Sequence, residues 1–143
     1  MEYEPLDNIG VLIHTVDLEI TSYVNSQLAA FQLTSEQNLI MALLWKHEGI
    51  SQNEIATKLK KDKAGVTRMI FTLEKKGYIR RETCPNDKRS VKVYLTEDGR
   101  KLGNDVIPNN KSIIQLISKG MTKEEILELR RLLMKVRENV GRS

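Results

Sequence analysis

Within residues 51–96 the hydrophobic period changes at Gly77, and that change limits what the segment can build. Before it, apolar residues recur at three and four, as in an amphipathic helix. After it they alternate, as in a half-buried strand. Ser51 and Glu54 have the spacing of a capping box, opening a helix over residues 52–60 with Ile55, Ala56 and Leu59 inward. Lys61-Asp62-Lys63 makes a tight turn, and the Asp62 carboxylate can cap a second helix over 63–76. Val66, Met69, Ile70 and Leu73 form its buried stripe at i, i+3, i+4 and i+7. Lys75 and Lys76 suit the negative end of its dipole, and Gly77 supplies a left-handed stop. Strands are expected over 78–83 and 91–96, where Val91, Val93 and Leu95 alternate with Lys92, Tyr94 and Thr96. Between them Cys84-Pro85-Asn86-Asp87-Lys88-Arg89-Ser90 reads as a polar turn with a charged tip. Two short helices and then a hairpin make a helix-turn-helix followed by a wing.

Longer helices flank this unit. The first is expected over 5–30, with Ile9, Leu12, Ile13, Val16, Ile20, Val24 and Leu28 at threes and fours and Pro5 in its first turn. Thr34 and Gln37 open a second over 35–47, with Leu39, Ile40, Leu43 and Leu44 inward and Gly49 as its stop. Thr96 caps a fifth helix, interrupted or bent around Pro108, and Thr122 with Glu125 opens a sixth over 123–140. Ile126, Leu129, Leu133, Val136 and Val140, widened by Leu127 and Leu132, give the sixth a broad apolar stripe. The expected fold is mainly α with a small β-hairpin wing. A winged helix-turn-helix unit (34–96) is flanked by N- and C-terminal dimerisation helices (1–33 and 97–143). The first and sixth helices carry more apolar surface than a nearly self-contained central unit can cover, and the simplest cover is a second copy.

The chain's 143 residues are about the length of one domain. Its net charge of +4 conceals a division along the sequence. Residues 1–48 hold one base and seven acids, net −6; residues 49–96 hold twelve bases and five acids, net +7; residues 97–143 hold ten and seven, net +3. A basic unit between an acidic and a weakly basic arm is the pattern of a module that faces nucleic acid. The longest apolar run, residues 39–45, is far short of the roughly 18 residues that a membrane helix needs. Residues 1–7 are acidic and lack the apolar segment of a secretory signal, and a single cysteine excludes an internal disulfide framework, so a cytoplasmic location is expected.

With its stripe inward, the second helix of the pair points Ala64, Arg68, Phe71 and Lys75 outward, flanked by Thr67 and Thr72, with Lys63 and Gly65 in its first turn. Such an arginine can pair bidentately with guanine, and alanine or threonine can touch a thymine methyl. The N-terminal part penetrates deepest, so Lys63, Ala64, Gly65, Thr67, Arg68 and Thr72 are the expected recognition residues. For Arg68 the competing reading is an ion pair with Glu74 or with a neighbouring helix. Phe71 contacts a base methyl or packs under the wing, and packing is the expectation. Asp87, Lys88, Arg89 and Ser90 are the expected wing contacts, with Asp87 orienting Arg89 toward a narrow minor groove. Ser51, Gln52, Asn53 and Lys61 are expected at the phosphate backbone.

Enzyme signatures are missing: no G-x-S-x-G, phosphate-binding loop or dinucleotide-binding glycine pattern occurs, and no cofactor is expected. His14 and His47 fall on different helices, which leaves a zinc site unsupported. Cys84, near Arg80, Arg81 and Lys88, is a thiol sensor or an incidental strand-end cysteine, the second being expected. A ligand pocket, if present, is expected between the dimerisation helices and the central unit. Trp45 and His14 could line it, although Trp45 is more simply a core anchor. A winged-helix module for protein partners is the rival class, but such an adaptor has no need of +7 on these elements.

Several of these residues together resemble the MarR family, the multiple-antibiotic-resistance-type winged-helix regulators of bacteria and archaea. The most specific part is Asp87-x-Arg89-Ser90 followed by Val93-x-Leu95-Thr96-x-x-Gly99. Val66-Thr67-Arg68 and Leu73-Glu74-Lys75-Lys76-Gly77-Tyr78-Ile79 support it. The resemblance implies a homodimer held by the first helix and the last two, repression at a palindromic double-stranded DNA operator, and in many members release by a small-molecule effector. It also implies that Arg89 enters the minor groove. The two recognition helices would then lie about one DNA turn apart, roughly 34 Å. Phe71 departs from the family, which more often has a polar residue there.

Overall fold

Two helices joined at a left-handed residue form the centre of the structure, a computed structural model that describes residues 2–141, with Lys88 and Arg89 described by their backbone. The first, α3 (Gln52–Leu59), opens where Ser51 Oγ accepts from the Glu54 N–H at 3.0 Å. It closes at Lys60, whose φ of 55° turns the chain toward α4 (Lys63–Lys75). Asp62 caps α4 by accepting from the Gly65 N–H at 2.9 Å. Both caps satisfy backbone donors that the helix itself leaves unpaired.

Before them come α1 (Ile9–Leu28), a short 3-10 turn (Ala29–Phe31) and α2 (Ser35–Lys46). Helix α1 starts later than Pro5 suggests, because Asn8 supplies the cap: its Oδ1 accepts from the Val11 N–H at 3.0 Å. Thr34 and Gln37 form a complete capping box on α2. The inward set of α2 is Ile40, Met41 and Leu44, with Leu43 partly buried, whereas Leu39 is 48% exposed. The expected stripe was therefore displaced at one edge, with Met41 taking the place of Leu39.

The sheet has three strands, β1 (Ile50–Ser51), β2 (Ile79–Cys84) and β3 (Asp87–Leu95), in the order β1-β3-β2 and antiparallel throughout. The hairpin alone was expected; β1 adds the pairs Ile50↔Val93 and Ser51↔Lys92. The loop is also shorter than expected, since β3 begins at Asp87 and the turn is Pro85-Asn86. Pairing runs from Ile79↔Leu95 to Thr83↔Val91 and then jumps to Cys84↔Asp87. Residues 88–90 therefore fall between consecutive paired positions, as a bulge in β3.

Helix α5 (Glu97–Ile117) is continuous through Pro108, so the interruption considered from the sequence does not occur. Helix α6 (Lys123–Gly141) opens with a second complete capping box, Thr122 with Glu125. The chain forms two compact units, Met1–Asn110 and Lys111–Ser143. In the first, Leu28 of α1, Ile40, Met41 and Leu44 of α2, Ile55 of α3, Val66, Ile70 and Leu73 of α4, Val93 and Leu95 of β3 and Val106 of α5 form one buried cluster. Trp45 packs against it and donates from Nε1 to the Gly99 carbonyl at 2.9 Å, the anchoring role expected of it. In the second unit, Ile126, Leu129, Leu132, Leu133 and Val140 of α6 are each at least 40% exposed. On the same helix the Arg131 guanidinium holds the Glu128 carboxyl below its ordinary range, through a hydrogen bond at 2.5 Å. Among the described residues no helix is long and apolar enough to cross a membrane.

Candidate nucleic-acid interface

Helix α4 buries Val66, Ile70 and Leu73 and half-buries Met69, which fixes its opposite face outward. Lys63, Ala64, Thr67 and Arg68 are exposed, and Gly65 and Thr72 are half-buried at the edges. The expected recognition residues thus share one end and one side of α4. Thr67 Oγ1 donates to the Lys63 carbonyl at 2.8 Å, and Thr72 Oγ1 donates to the Arg68 carbonyl at 3.1 Å. Gln52 Nε2 donates to Thr67 Oγ1 at 3.4 Å, tying the start of α3 to α4.

The competing reading of Arg68 is not what the structure shows. Glu74 is taken by Arg81, at 3.0 Å, and no carboxylate among the described residues pairs with Arg68. Phe71 does not pack under the wing either. It is 46% exposed, with Lys75 Nζ 4.7 Å from its ring centroid. Burial was expected from its apolar character, but α4 has its stripe filled by aliphatic residues and turns position 71 away from them.

Charge at the interface is smaller than the sequence count. Lys61 Nζ pairs with Glu36 at 2.7 Å, and Arg80 pairs with Glu82 while lying 4.6 Å over the Tyr94 ring. Lys76 Nζ donates to the Gln32 carbonyl at 2.5 Å and to Gln37 Oε1 at 3.2 Å. Among the described residues, Lys58, Lys60, Lys63, Arg68 and Lys92 join no ion pair. Of these, Lys58, Lys60 and Lys92 were not among the residues expected at the interface. Their position in the +7 segment was the available signal. A cleft of about 510 Å³ lies at the turn between α3 and α4, bordered by Lys60, Lys61, Asp62, Arg68, Thr72 and Glu36.

The remaining expected residues are spread more widely. Ser51 and Gln52 are half-buried and Asn53 is exposed, all at the N-terminus of α3. Asp87 is exposed and Ser90 half-buried on β3; the side chains of Lys88 and Arg89, both expected wing contacts, lie outside the described residues. Cys84 is half-buried at the end of β2. His14 and His47 are exposed on separate elements, and among the described residues no cluster of His, Cys, Asp or Glu could hold a metal ion.

Residues 33–91, from just after the 3-10 turn into β3, match the model of the MarR family. The chain is 30% identical over 129 residues to the multiple antibiotic resistance protein MarR of Escherichia coli, covering 90% of each. The chain belongs to the MarR family. Members of this family are transcriptional regulators, not enzymes. This MarR-family chain is also 36% identical over 110 residues to the HTH-type transcriptional regulator TtmR of Methylorubrum extorquens, covering 76% of the chain and 53% of TtmR. A mutant E. coli MarR solved with operator DNA superposes with a TM-score of 0.82 at 29% identity, covering 94% of this chain and 99% of that one. The MepR–DNA complex of S. aureus gives 0.86 at 25% identity, covering 92% and 98%.

Proposed function

We propose that this chain is a homodimeric repressor that binds a palindromic operator, with α4 in the major groove and the wing at the minor groove. The observation that carries the reading is the outward face of α4, where Lys63 and Arg68 stand without ion-pair partners while the nearby Glu74 is consumed by Arg81. In this reading Lys63, Ala64, Gly65, Thr67, Arg68 and Thr72 meet base edges. Asp87, Lys88, Arg89 and Ser90 serve the wing, and Ser51, Gln52 and Asn53 meet phosphates at the start of α3. Lys61 joins them by exchanging Glu36 for a phosphate, an inexpensive exchange because exposed ion pairs contribute little. Repression is the sign that the family resemblance implies. The uncovered apolar residues of α1 and of α6 supply the dimer contact, and a regulator that meets chromosomal DNA works in the cytoplasm.

The test is equilibrium binding of the purified protein to a duplex recovered from a random-sequence pool, measured across salt concentrations. Log affinity should fall linearly with log salt, by about 0.9 per phosphate contacted. Arg89→Ala should weaken binding while size measurements show the assembly unchanged. Failure to recover any duplex, or binding indifferent to salt, would leave a winged-helix module for protein partners instead.

A further inference from the structure

We propose that Phe71 is a specificity-determining residue that reads thymine methyl groups in the major groove, an inference that rests on the DNA-binding reading above. At about 100° per residue, Ala64, Phe71 and Lys75 fall within about 40° of one another around α4, while buried Leu73 lies about 160° from Phe71. Phe71 is therefore near the middle of the outward face, and its 46% exposure agrees with that position. The phenyl ring has no place in the buried cluster, whose α4 members are Val66, Ile70 and Leu73.

The surroundings of the ring specify what can cover it. Lys75 Nζ sits 4.7 Å from its centroid, and Lys63 and Arg68 are exposed on the same side of the helix. The neighbouring Thr67 and Thr72 direct their hydroxyl hydrogens to carbonyls of α4 itself. Outward, the face offers Ala64 and Phe71 as an apolar centre with cations around it, and the neighbouring carboxylate, Glu74, is already paired with Arg81. The complementary surface is a small apolar group set in an anionic field. In the major groove the thymine 5-methyl between two phosphate backbones is that group, and apolar side chains including phenylalanine can contact it. A protein partner would need an acidic rim around an apolar pocket, and it enters as an outcome of the test.

The experiment uses the full chain and a duplex selected from a random-sequence pool, with each thymine replaced in turn by uracil to delete one methyl. For the wild type, one or two positions should each lose about fourfold in affinity, the factor for one buried methyl-sized group. Phe71→Ala should abolish that loss at those positions alone, and Phe71→Leu should retain part of it. The variants' size and helical content should match the wild type, as expected for an exposed position. Identical uracil profiles for wild type and Phe71→Ala, with salt-dependent binding intact, would overturn this inference and leave the DNA-binding reading standing. Absence of salt-dependent duplex binding by the wild type would overturn both. A change of assembly state in Phe71→Ala with an unaltered uracil profile would make position 71 a protein contact and also overturn it.

Discussion

A methyl group placed on Gly99 would overlap the carbonyl oxygen of Tyr78, so the first turn of α5 lies directly against the junction of α4 and β2. Thr96 closes the same junction: its N–H donates to the Tyr78 carbonyl at 3.0 Å and its hydroxyl to the Gly77 carbonyl at 2.6 Å. The hydroxyl also accepts from the Gly99 N–H at 3.1 Å, which caps α5. The Leu95-Thr96-x-x-Gly99 pattern thus has a packing cause: the cap must carry a hydroxyl and the third helical residue must have no side chain. Gly99→Ala should cost about 1–3 kcal/mol through backbone overlap, read as a lower midpoint of thermal unfolding. Gly141→Ala, where a Cβ meets nothing within 4 Å, is the control and should leave the midpoint near that of the wild type.

Lys76 tests whether every base of the +7 segment serves DNA. Its ammonium bridges the Gln32 carbonyl and Gln37 Oε1, fastening the end of α4 to the left-handed turn before α2. Lys76→Met keeps the aliphatic stem and deletes the two donated bonds. It should destabilise the fold by about 1–2 kcal/mol, at the lower end for charged hydrogen bonds because the residue is exposed. Denaturant titration reads that loss. The salt dependence of DNA binding should keep the wild-type slope; a slope reduced by about one would make Lys76 a phosphate contact.

Most helix starts were legible because their signals are local. Thr34 with Gln37, Ser51, Asp62, Thr96 and Thr122 with Glu125 each act on backbone within three residues, and all five caps form. What the sequence concealed depends on distant partners. Strand β1 is two residues long and exists through Val93 and Lys92, more than forty positions away. Glu48 is similar: its carboxylate accepts from the Leu95 N–H at 2.9 Å and pairs with Arg100 at 3.0 Å, which no local pattern announces. The bulge at residues 88–90 hid the true start of β3, since unpaired polar residues read as loop. At the candidate interface, helical spacing correctly placed Lys63, Ala64, Thr67 and Arg68 outward. Lys61 and Arg81 find their partners on other elements and Arg80 finds Glu82 two residues along β2, and so the free charge was overcounted.

Arg68 separates base reading from phosphate binding. It is exposed and has no carboxylate partner among the described residues, so its removal should leave folding intact. If its guanidinium pairs with a guanine edge, Arg68→Ala should relax discrimination by about 1–3 kcal/mol at one base pair and leave other positions unchanged. Affinity measured over all single-base variants of the selected duplex gives that profile. Uniform weakening across the variants would place Arg68 on a phosphate instead.

The proposed dimer makes a demand of α6. Ile126, Leu129 and Leu133 are 41%, 46% and 40% exposed along one side of a helix that a lone copy leaves uncovered. Spacings of three and four put them in one stripe, suited to a self-complementary contact about a two-fold axis. A charge in the middle of that stripe must be desolvated if the contact forms, whereas on an open surface it costs nothing. Leu133→Lys should therefore shift the protein to monomer in sedimentation at micromolar concentration while its helical content is retained. Operator affinity should fall with it, because a monomer engages one half-site where a dimer engages two. A variant that remains dimeric would move the contact away from this stripe, and a wild type that sediments as a monomer would remove the dimer from the proposal altogether.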